Sequence, residues 1–331
     1  MSKVRRYGLL AVLFAVGAAA YVSAGPPPPT PTAPGTFAFA VLGDAPYYAW
    51  EDLKYRVVLQ DLRAHDLDLV LHIGDMLWRP CTDERYRSSL DGFNSLPHPV
   101  IYTPGDNEWA DCWASGAGGF RPLERLARLR EMFFGSPESL GRRRVPLTAQ
   151  GRREPFAEFV ENVRWVHGGL VFATVHLVGS ANGSDAFPGR GPEDDAEVVR
   201  RTAAATAWVR ETFAEAGTAN AAAVVIAFHA NPGLEGGQSP DYRHFFEPFL
   251  TALEEEVEAF GKPVLIAHGD NHVYTVDHPV VRRTTGRLLE NLTRLQVPGS
   301  PGVGWVRVAV TPGPKVSFAF EPRVVPRWKL W

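Results

Sequence analysis

Between residues 36 and 270 the chain repeats one pattern: a short apolar run, then a glycine and an aspartate. Residues 36–42 end at Gly43-Asp44, 67–73 at Gly74-Asp75, 99–104 at Gly105-Asp106 and 262–268 at Gly269-Asp270. A fifth run, 222–228, ends at His229. Runs that are apolar at nearly every position predict strands buried on both faces, as in an α/β core. Helical spacing fills the intervals. Residues 55–64 link the first two runs. Residues 122–134 open with proline and place Leu123, Leu126, Leu129 and Met132 three apart. Residues 193–216 and 241–260 also read as helices. Residues 158–166, 170–177, 303–310 and 315–320 read as antiparallel strands, with turns at Asn182-Gly183 and Pro312-Gly313.

The N-terminus is different. Residues 1–6 are cationic, 8–20 are apolar without a break, and Val22-Ser23-Ala24 has the small residues of a cleavage site. This reads as a signal peptide over 1–24, which makes the chain secreted or periplasmic. An uncleaved membrane anchor is the alternative, and only that would bring the chain to a membrane. Residues 25–35 are proline-rich and read as an extended linker. The folded domain then spans 36–331. The chain shows no internal repeat.

Composition narrows the classes. With 45% hydrophobic and 21% charged residues the 331-residue chain has ample apolar surface for a core, which excludes a disordered chain. A net charge of −3 indicates no nucleic-acid-binding surface. Two cysteines exclude a four-cysteine zinc site. No G-x-S-x-G elbow supports a serine hydrolase, and no G-x-G-x-x-G follows a strand.

The chemistry lies at the strand ends. Asp44, Asp75, Asp106, His229 and Asp270-Asn271-His272 each fall just past a predicted strand, the edge where α/β sheets bind ligands. Four carboxylates sharing one site repel one another, and one or two divalent cations are the natural counter-charge. The preceding glycines are expected to supply the sharp turns.

At these residues the chain resembles the calcineurin-like metallophosphoesterases, the superfamily that includes the purple acid phosphatases. Their ordered motifs are D-x-H, G-D-x-x-D, G-N-H-[DE], a lone H and G-H-x-H, and the order matches over roughly residues 40–275. Asp44 stands for the first motif and Asp75 for the metal-bridging carboxylate of the second. Gly105-Asp106-Asn107-Glu108 stands for the third, His229 for the fourth and Gly269-Asp270-Asn271-His272 for the last. Pro46 replaces the first-motif histidine, Trp78 ends the second motif, Asp106 replaces an asparagine, Asn107 the catalytic histidine and Asp270 a late histidine.

The resemblance implies a four-layer α/β/β/α sandwich. It implies one metal on Asp44, Asp75 and His272 and another on Asp75, Asp106, His229 and Asp270. Four carboxylates with two imidazoles form a hard, anionic set. Among Mn, Mg, Ca, Fe and Zn it favours Mn or another hard cation. The implied activity is an exported hydrolase that uses a metal-bound hydroxide on a small-molecule phosphoester. The alternative is a catalytically impaired domain that binds metal, phosphate or a protein.

Asn107 cannot serve as a proton donor. Glu108 is therefore the first candidate general acid, with His72 and His268 as others that alternation turns into the packing. Tyr47 is a wall of the site or, less in keeping with the motif, a ligand. Cys81 and Cys112, on neighbouring site loops of an exported chain, suggest one disulfide. Trp78, Trp109 and Trp113 line a pocket or pack the core, and Arg79, Arg85 and Arg87 are candidate phosphate contacts. The remaining histidines are read as structural. Asn291-Leu292-Thr293 fits a glycosylation acceptor.

Overall fold

The computed structural model describes residues 35–77, 80–234 and 240–325. The signal peptide, nearly all of the linker, Trp78 and Arg79 lie outside the described residues. The chain opens with β1 (Phe37–Leu42), α1 (Glu51–Ala64), β2 (Leu69–His72), α2 (Asp83–Asn94), β3 (Val100–Tyr102) and α3 (Pro122–Phe133). Next come β4 (Thr148–Ala149), β5 (Val163–His167), β6 (Leu170–Thr174), the long α4 (Pro192–Thr218), β7 (Ala223–Ala227), α5 (Glu247–Phe260) and β8 (Val264–His268). The last strands are β9 (Thr275–Asp277), β10 (Val281–Arg282), β11 (Arg287–Leu288), β12 (Leu292–Gln296), β13 (Gly304–Thr311) and β14 (Ser317–Val324).

Two sheets carry the fold. One has the order β14-β13-β1-β2-β3, the other β4-β5-β6-β7-β8-β12-β9. The runs that end in aspartate or histidine pair in parallel: β1, β2 and β3 in the first sheet, β7 and β8 in the second.

Alternation along each strand builds the layers. Phe39 and Val41 of β1, Leu69 and Leu71 of β2, Val225 of β7 and Leu265 of β8 meet in one core between the sheets. The alternate residues face outward. Ala38, Ala40 and Val70 pack with Val58 and Leu62 of α1, Tyr86 and Phe93 of α2 and Leu126 and Leu129 of α3. On the far side Val224, Ile226 and Ile266 pack with Trp208 and Phe213 of α4 and Leu250 and Leu253 of α5. Helices, sheet, sheet, helices is the four-layer sandwich expected.

Some expectations need correction. Residues 241–260 are not one helix: a turn of α-helix at Pro240–Arg243 and a 3₁₀ turn at His244–Phe246 precede α5. Pro248 has no backbone N–H, so the chain starts a fresh helix around it. Residues 158–162 are turns, and strand begins only at Val163. Helix α2 and strand β12 were not read from the sequence at all. Asn291 is not a free acceptor: its Nδ2 donates to the carbonyls of Val257 and Lys262, each at 2.9 Å. Among the described residues, no helix is long and apolar enough to cross a membrane.

Cys81 and Cys112 form a disulfide across 31 residues, fully buried. It ties the loop after β2 to the loop after β3, the loops that follow Asp75 and Asp106. A closed loop of this length stabilises the fold by about 3–4 kcal/mol on the chain-entropy model. Replacing both cysteines with serine is expected to lower unfolding stability by that amount, as measured by urea denaturation.

Candidate metal centre

Asp44, Asp75 and Asp106 follow β1, β2 and β3, while His229 and Asp270 follow β7 and β8, and the fold brings all five together. His229 Nε2 lies 3.0 Å from Asp106 Oδ1, 3.4 Å from Asp75 Oδ1 and 3.8 Å from Asp270 Oδ1. Its Nδ1 is 3.8 Å from Asp44 Oδ1. His272 joins from the rim, with Nε2 3.9 Å from the same Asp44 oxygen. Asp44 and His229 are completely buried, whereas Asp270 and His272 keep 22% and 29% of their side chains exposed and mark the mouth.

The backbone is strained at these positions. Asp44, Asp75, Asp270 and His272 have φ of 55°, 54°, 75° and 61°, the left-handed region that L residues avoid. Such strain clusters at functional sites, where surrounding structure holds it. The left-handed turn thus lies in the site residues themselves, not chiefly in the glycines before them. The glycines supply room. A Cβ at Gly105 would stand 2.0 Å from Asp75 Oδ1, and one at Gly269 would stand 2.2 Å from Asp44 Oδ2.

Neighbours fix each carboxylate. Asn107 donates its backbone N–H to Asp75 Oδ1 at 3.2 Å and its side-chain amide to Asp75 Oδ2 at 2.6 Å. Tyr47 donates its hydroxyl to Asp75 Oδ2 and lies 3.2 Å from His272 Nε2. Burial and the Asp75 charge push the Tyr47 phenol well above its usual range, so it stays a neutral donor. The Asp270 N–H donates to Asp44 Oδ1 at 3.0 Å, and the Asn231 N–H to Asp270 Oδ2 at 2.9 Å. Ser180 Oγ lies 2.7 Å from Asp106 Oδ2 and 2.9 Å from Asp111 Oδ1.

Ser180 and Asp111 escaped the sequence reading. Ser180, Ala181 and Asn182 form a left-handed turn, with φ of 49°, 54° and 55°. Asn182 is clamped by the fully buried Arg201 of α4, whose Nη2 donates to the Asn182 carbonyl at 2.8 Å. Arg201 also meets Glu197 at 2.8 Å. The turn chemistry of Asn182-Gly183 was the only local signal.

The candidate proton donors lie in packing. Glu108 is fully buried, and its carboxylate accepts from the N–H groups of Met76 at 2.9 Å and Gly105 at 3.1 Å and from the Tyr102 hydroxyl at 3.1 Å. His72 sits against Phe93 and Tyr102, and His268 stacks on Phe228. Burial pushes both imidazoles down to about 3. Trp109 is core, packed on His176. Trp113 lines a cavity of about 450 Å³ beside the cluster, together with Asn107, Asp111, Ser180 and Asp185.

The donor set suits a cation. The His229 Nδ1 is 3.1 Å from the Ile73 carbonyl and the His272 Nδ1 is 2.8 Å from that of Ser300. A carbonyl only accepts, so Nδ1 carries the hydrogen in both and Nε2 is turned toward the carboxylates. Asp44 Oδ2, Asp106 Oδ1 and His229 Nε2 are buried without a hydrogen-bond partner among the described residues. No lysine or arginine pairs with Asp44, Asp75, Asp106 or Asp270 among those residues. The cluster could therefore hold a metal ion. Ligand atoms of Asp44, Asp75 and His229 fall within 4.8 Å of one another, as do those of Asp106, His229 and Asp270. His229 is thus common to both groups, where the resemblance gave that place to Asp75.

Without a cation, protons balance the charge. Burial pushes Asp44 up to about 7 and Asp270 up to about 6, and it raises Asp75 well above the carboxylate range. Burial opposes charging His229, but Asp75, Asp106 and Asp44 outweigh it and raise the imidazole far above its usual value. Burial also works against ionised Asp106, yet His229 and Ser180 hold its carboxyl low.

No protein-family model and no curated protein matches the chain. Solved structures do. The structure of PhoD superposes with a TM-score of 0.53 at 13% identity, over 87% of this chain and 68% of that one. A phosphatase from Mycoplasma pneumoniae matches at 11% identity and a TM-score of 0.43, over 89% of this chain and 96% of that one. A hypothetical protein from Thermus thermophilus matches at 12% identity and a TM-score of 0.42, over 87% of this chain and 100% of that one. The chain shares its fold with PhoD, a four-layer α/β sandwich of the metallophosphoesterase type.

The raised carboxyls set the pH dependence of metal binding. Their ionisation costs stability in the metal-free protein as pH climbs from the unfolded-state value toward 6 and 7, and a cation removes that cost. Below that window protons compete for the same oxygens. Mn²⁺ affinity by titration calorimetry, and the Mn²⁺-induced rise in melting temperature, are expected to increase from about pH 5 to about pH 8 with release of protons.

Proposed function

We propose that this chain is an exported, metal-dependent phosphoester hydrolase. The carrying observation is the convergence of four carboxylates on His229, with His272 beside Asp44 at the rim, and with both imidazole Nδ1 atoms committed to backbone carbonyls. The fold supports the same reading, and the disulfide together with the leader-like N-terminus supports export.

Asp44, Asp75, Asp106, His229, Asp270 and His272 would hold one or two divalent ions, with hard ions such as Mn²⁺ suited to the oxygen-rich set. Such ions supply an activated water and positive charge opposite the phosphoryl oxygens. The residues of the chain do the positioning. Asn107 and Tyr47 orient the Asp75 carboxylate through three hydrogen bonds. Asp270 and His272 form the partly open mouth through which the ester approaches. The cavity walled by Asn107 and Trp113 gives the leaving group room.

One observation favours a second reading. The Asn107 amide has no acidic proton and is engaged with Asp75, which fits a domain that binds metal or phosphate without turnover.

Turnover of p-nitrophenyl phosphate and bis-p-nitrophenyl phosphate by the Mn²⁺-loaded protein separates the two. Asn107→Ala and Tyr47→Phe are expected to reduce kcat by roughly 10–100-fold, the usual loss when a ligand's support is removed. Asp75→Asn is expected to exceed that loss while far-UV circular dichroism stays unchanged. No turnover by the unsubstituted Mn²⁺-loaded protein would contradict the hydrolase, and turnover that survives Asp75→Asn would contradict the place of Asp75 in its site.

A further inference from the structure

A second cavity, of about 210 Å³, adjoins the cluster. Tyr47 forms part of its wall, and so do Met76 and Leu77, which directly follow Asp75. The residue whose hydroxyl meets Asp75 therefore belongs to both sites.

This cavity carries more positive than negative charge, with Asp52 the one carboxylate in its lining among the described residues. Arg56 of α1 and Arg85 of α2 line it, with Ser88 and Ser89 from the next turn of α2. Arg56 has no carboxylate partner among the described residues. Arg85 is 3.7 Å from Asp52, but both are partly exposed and such a pair binds weakly. Tyr55 lines the same space, and its hydroxyl is buried without a hydrogen-bond partner among the described residues. Two arginine forks and two serine hydroxyls, against the single carboxylate of Asp52, describe a seat for an oxyanion. The volume is below that of a site for a whole ligand, so it suits one group of a larger molecule.

The cluster makes such a seat useful. It holds four carboxylates, and no arginine or lysine pairs with them among the described residues. One or two divalent ions at most cancel these four charges and engage the phosphoryl group, so a second negative charge on the substrate needs positive charge a short distance away. Building on the hydrolase reading, we propose that this cavity receives a second anionic group of the substrate, so that the chain prefers phosphoesters carrying a further phosphate. At the rim Tyr48 and Trp50 stack with centroids 5.9 Å apart and stay 57% and 46% exposed. They offer a flat surface to a substrate that also carries an aromatic base.

The test compares kcat/KM of the Mn²⁺-loaded protein for fructose 1,6-bisphosphate against fructose 6-phosphate, and for adenosine 3′,5′-bisphosphate against adenosine 5′-monophosphate. A preference of about tenfold or more for the bisphosphate is expected, about the effect of one good charged contact. That ratio should fall toward one in Arg56→Ala/Arg85→Ala. A preference confined to the adenosine pair would assign the aromatic source, and one confined to the fructose pair the sugar source. Equal rates for mono- and bisphosphates, or a preference that survives the double arginine substitution, overturn the proposal. Calorimetric titration of the metal-free protein with inorganic pyrophosphate keeps the two readings apart. Binding lost in the double variant, with no turnover of any ester, supports the anion seat and rejects the hydrolase. Turnover without arginine-dependent pyrophosphate binding rejects the seat alone.

Discussion

His229 Nε2 faces oxygens of Asp106, Asp75 and Asp270 at 3.0, 3.4 and 3.8 Å, inside a pocket that no arginine or lysine neutralises among the described residues. One imidazole cannot balance four carboxylates in a buried space. Burial penalises every ionised form, and each carboxylate raises the others. The empty-handed solution is protonation, visible in the upward shifts of Asp44, Asp75 and Asp270. A divalent ion offers a different balance: it replaces several protons at once and restores the carboxylates to their charged state. The imidazoles are already set for that exchange, because backbone carbonyls fix the hydrogen on Nδ1.

The rest of the fold keeps these groups close against their repulsion. Parallel strands from two sheets end at one edge, and the His229 Nδ1 reaches across to the Ile73 carbonyl and joins the sheets at that edge. Beneath the cluster, Glu108 gathers the N–H groups of Met76 and Gly105, so the loops after β2 and β3 cannot part. The disulfide ties the same loops a few residues further on. Above it, Arg201 holds a left-handed turn that carries Ser180 onto Asp106. Strain at Asp44, Asp75, Asp270 and His272 persists because packing, not local preference, sets their backbone.

Much of this was legible in the sequence because parallel strands are apolar throughout and stop abruptly at a polar residue. Asp44, Asp75, Asp106, His229 and Asp270 declare themselves as the first chemistry past a run, and His272 follows within two residues. Helix α2 hid because only Tyr86 and Phe93 are buried along its length, too few to show a helical period; Thr82, whose side chain accepts from the Arg85 N–H, was the available sign. Strand β12 hid because Arg294 sits in it almost fully buried, paired with Asp277 at 2.7 Å, so its apolar alternation is broken. Ser180 and Asp111 reach the site through contacts with residues 74 and 5 positions away in the chain, and beyond the turn at Asn182-Gly183 nothing local marks them. The role of the glycines was misjudged for a related reason: the need for space at Gly105 arises from a side chain on another strand end.

The divalent ion content of the chain tests the metal centre most directly. Elemental mass spectrometry on protein loaded with Mn²⁺ at neutral pH and then freed of excess reads it without reference to any substrate. A metal centre requires one or two ions per chain, lost when His229→Ala and Asp75→Asn are combined. A chain that retains no ion under any loading condition would mean that bound protons alone balance the four carboxylates, and the metal centre would be contradicted.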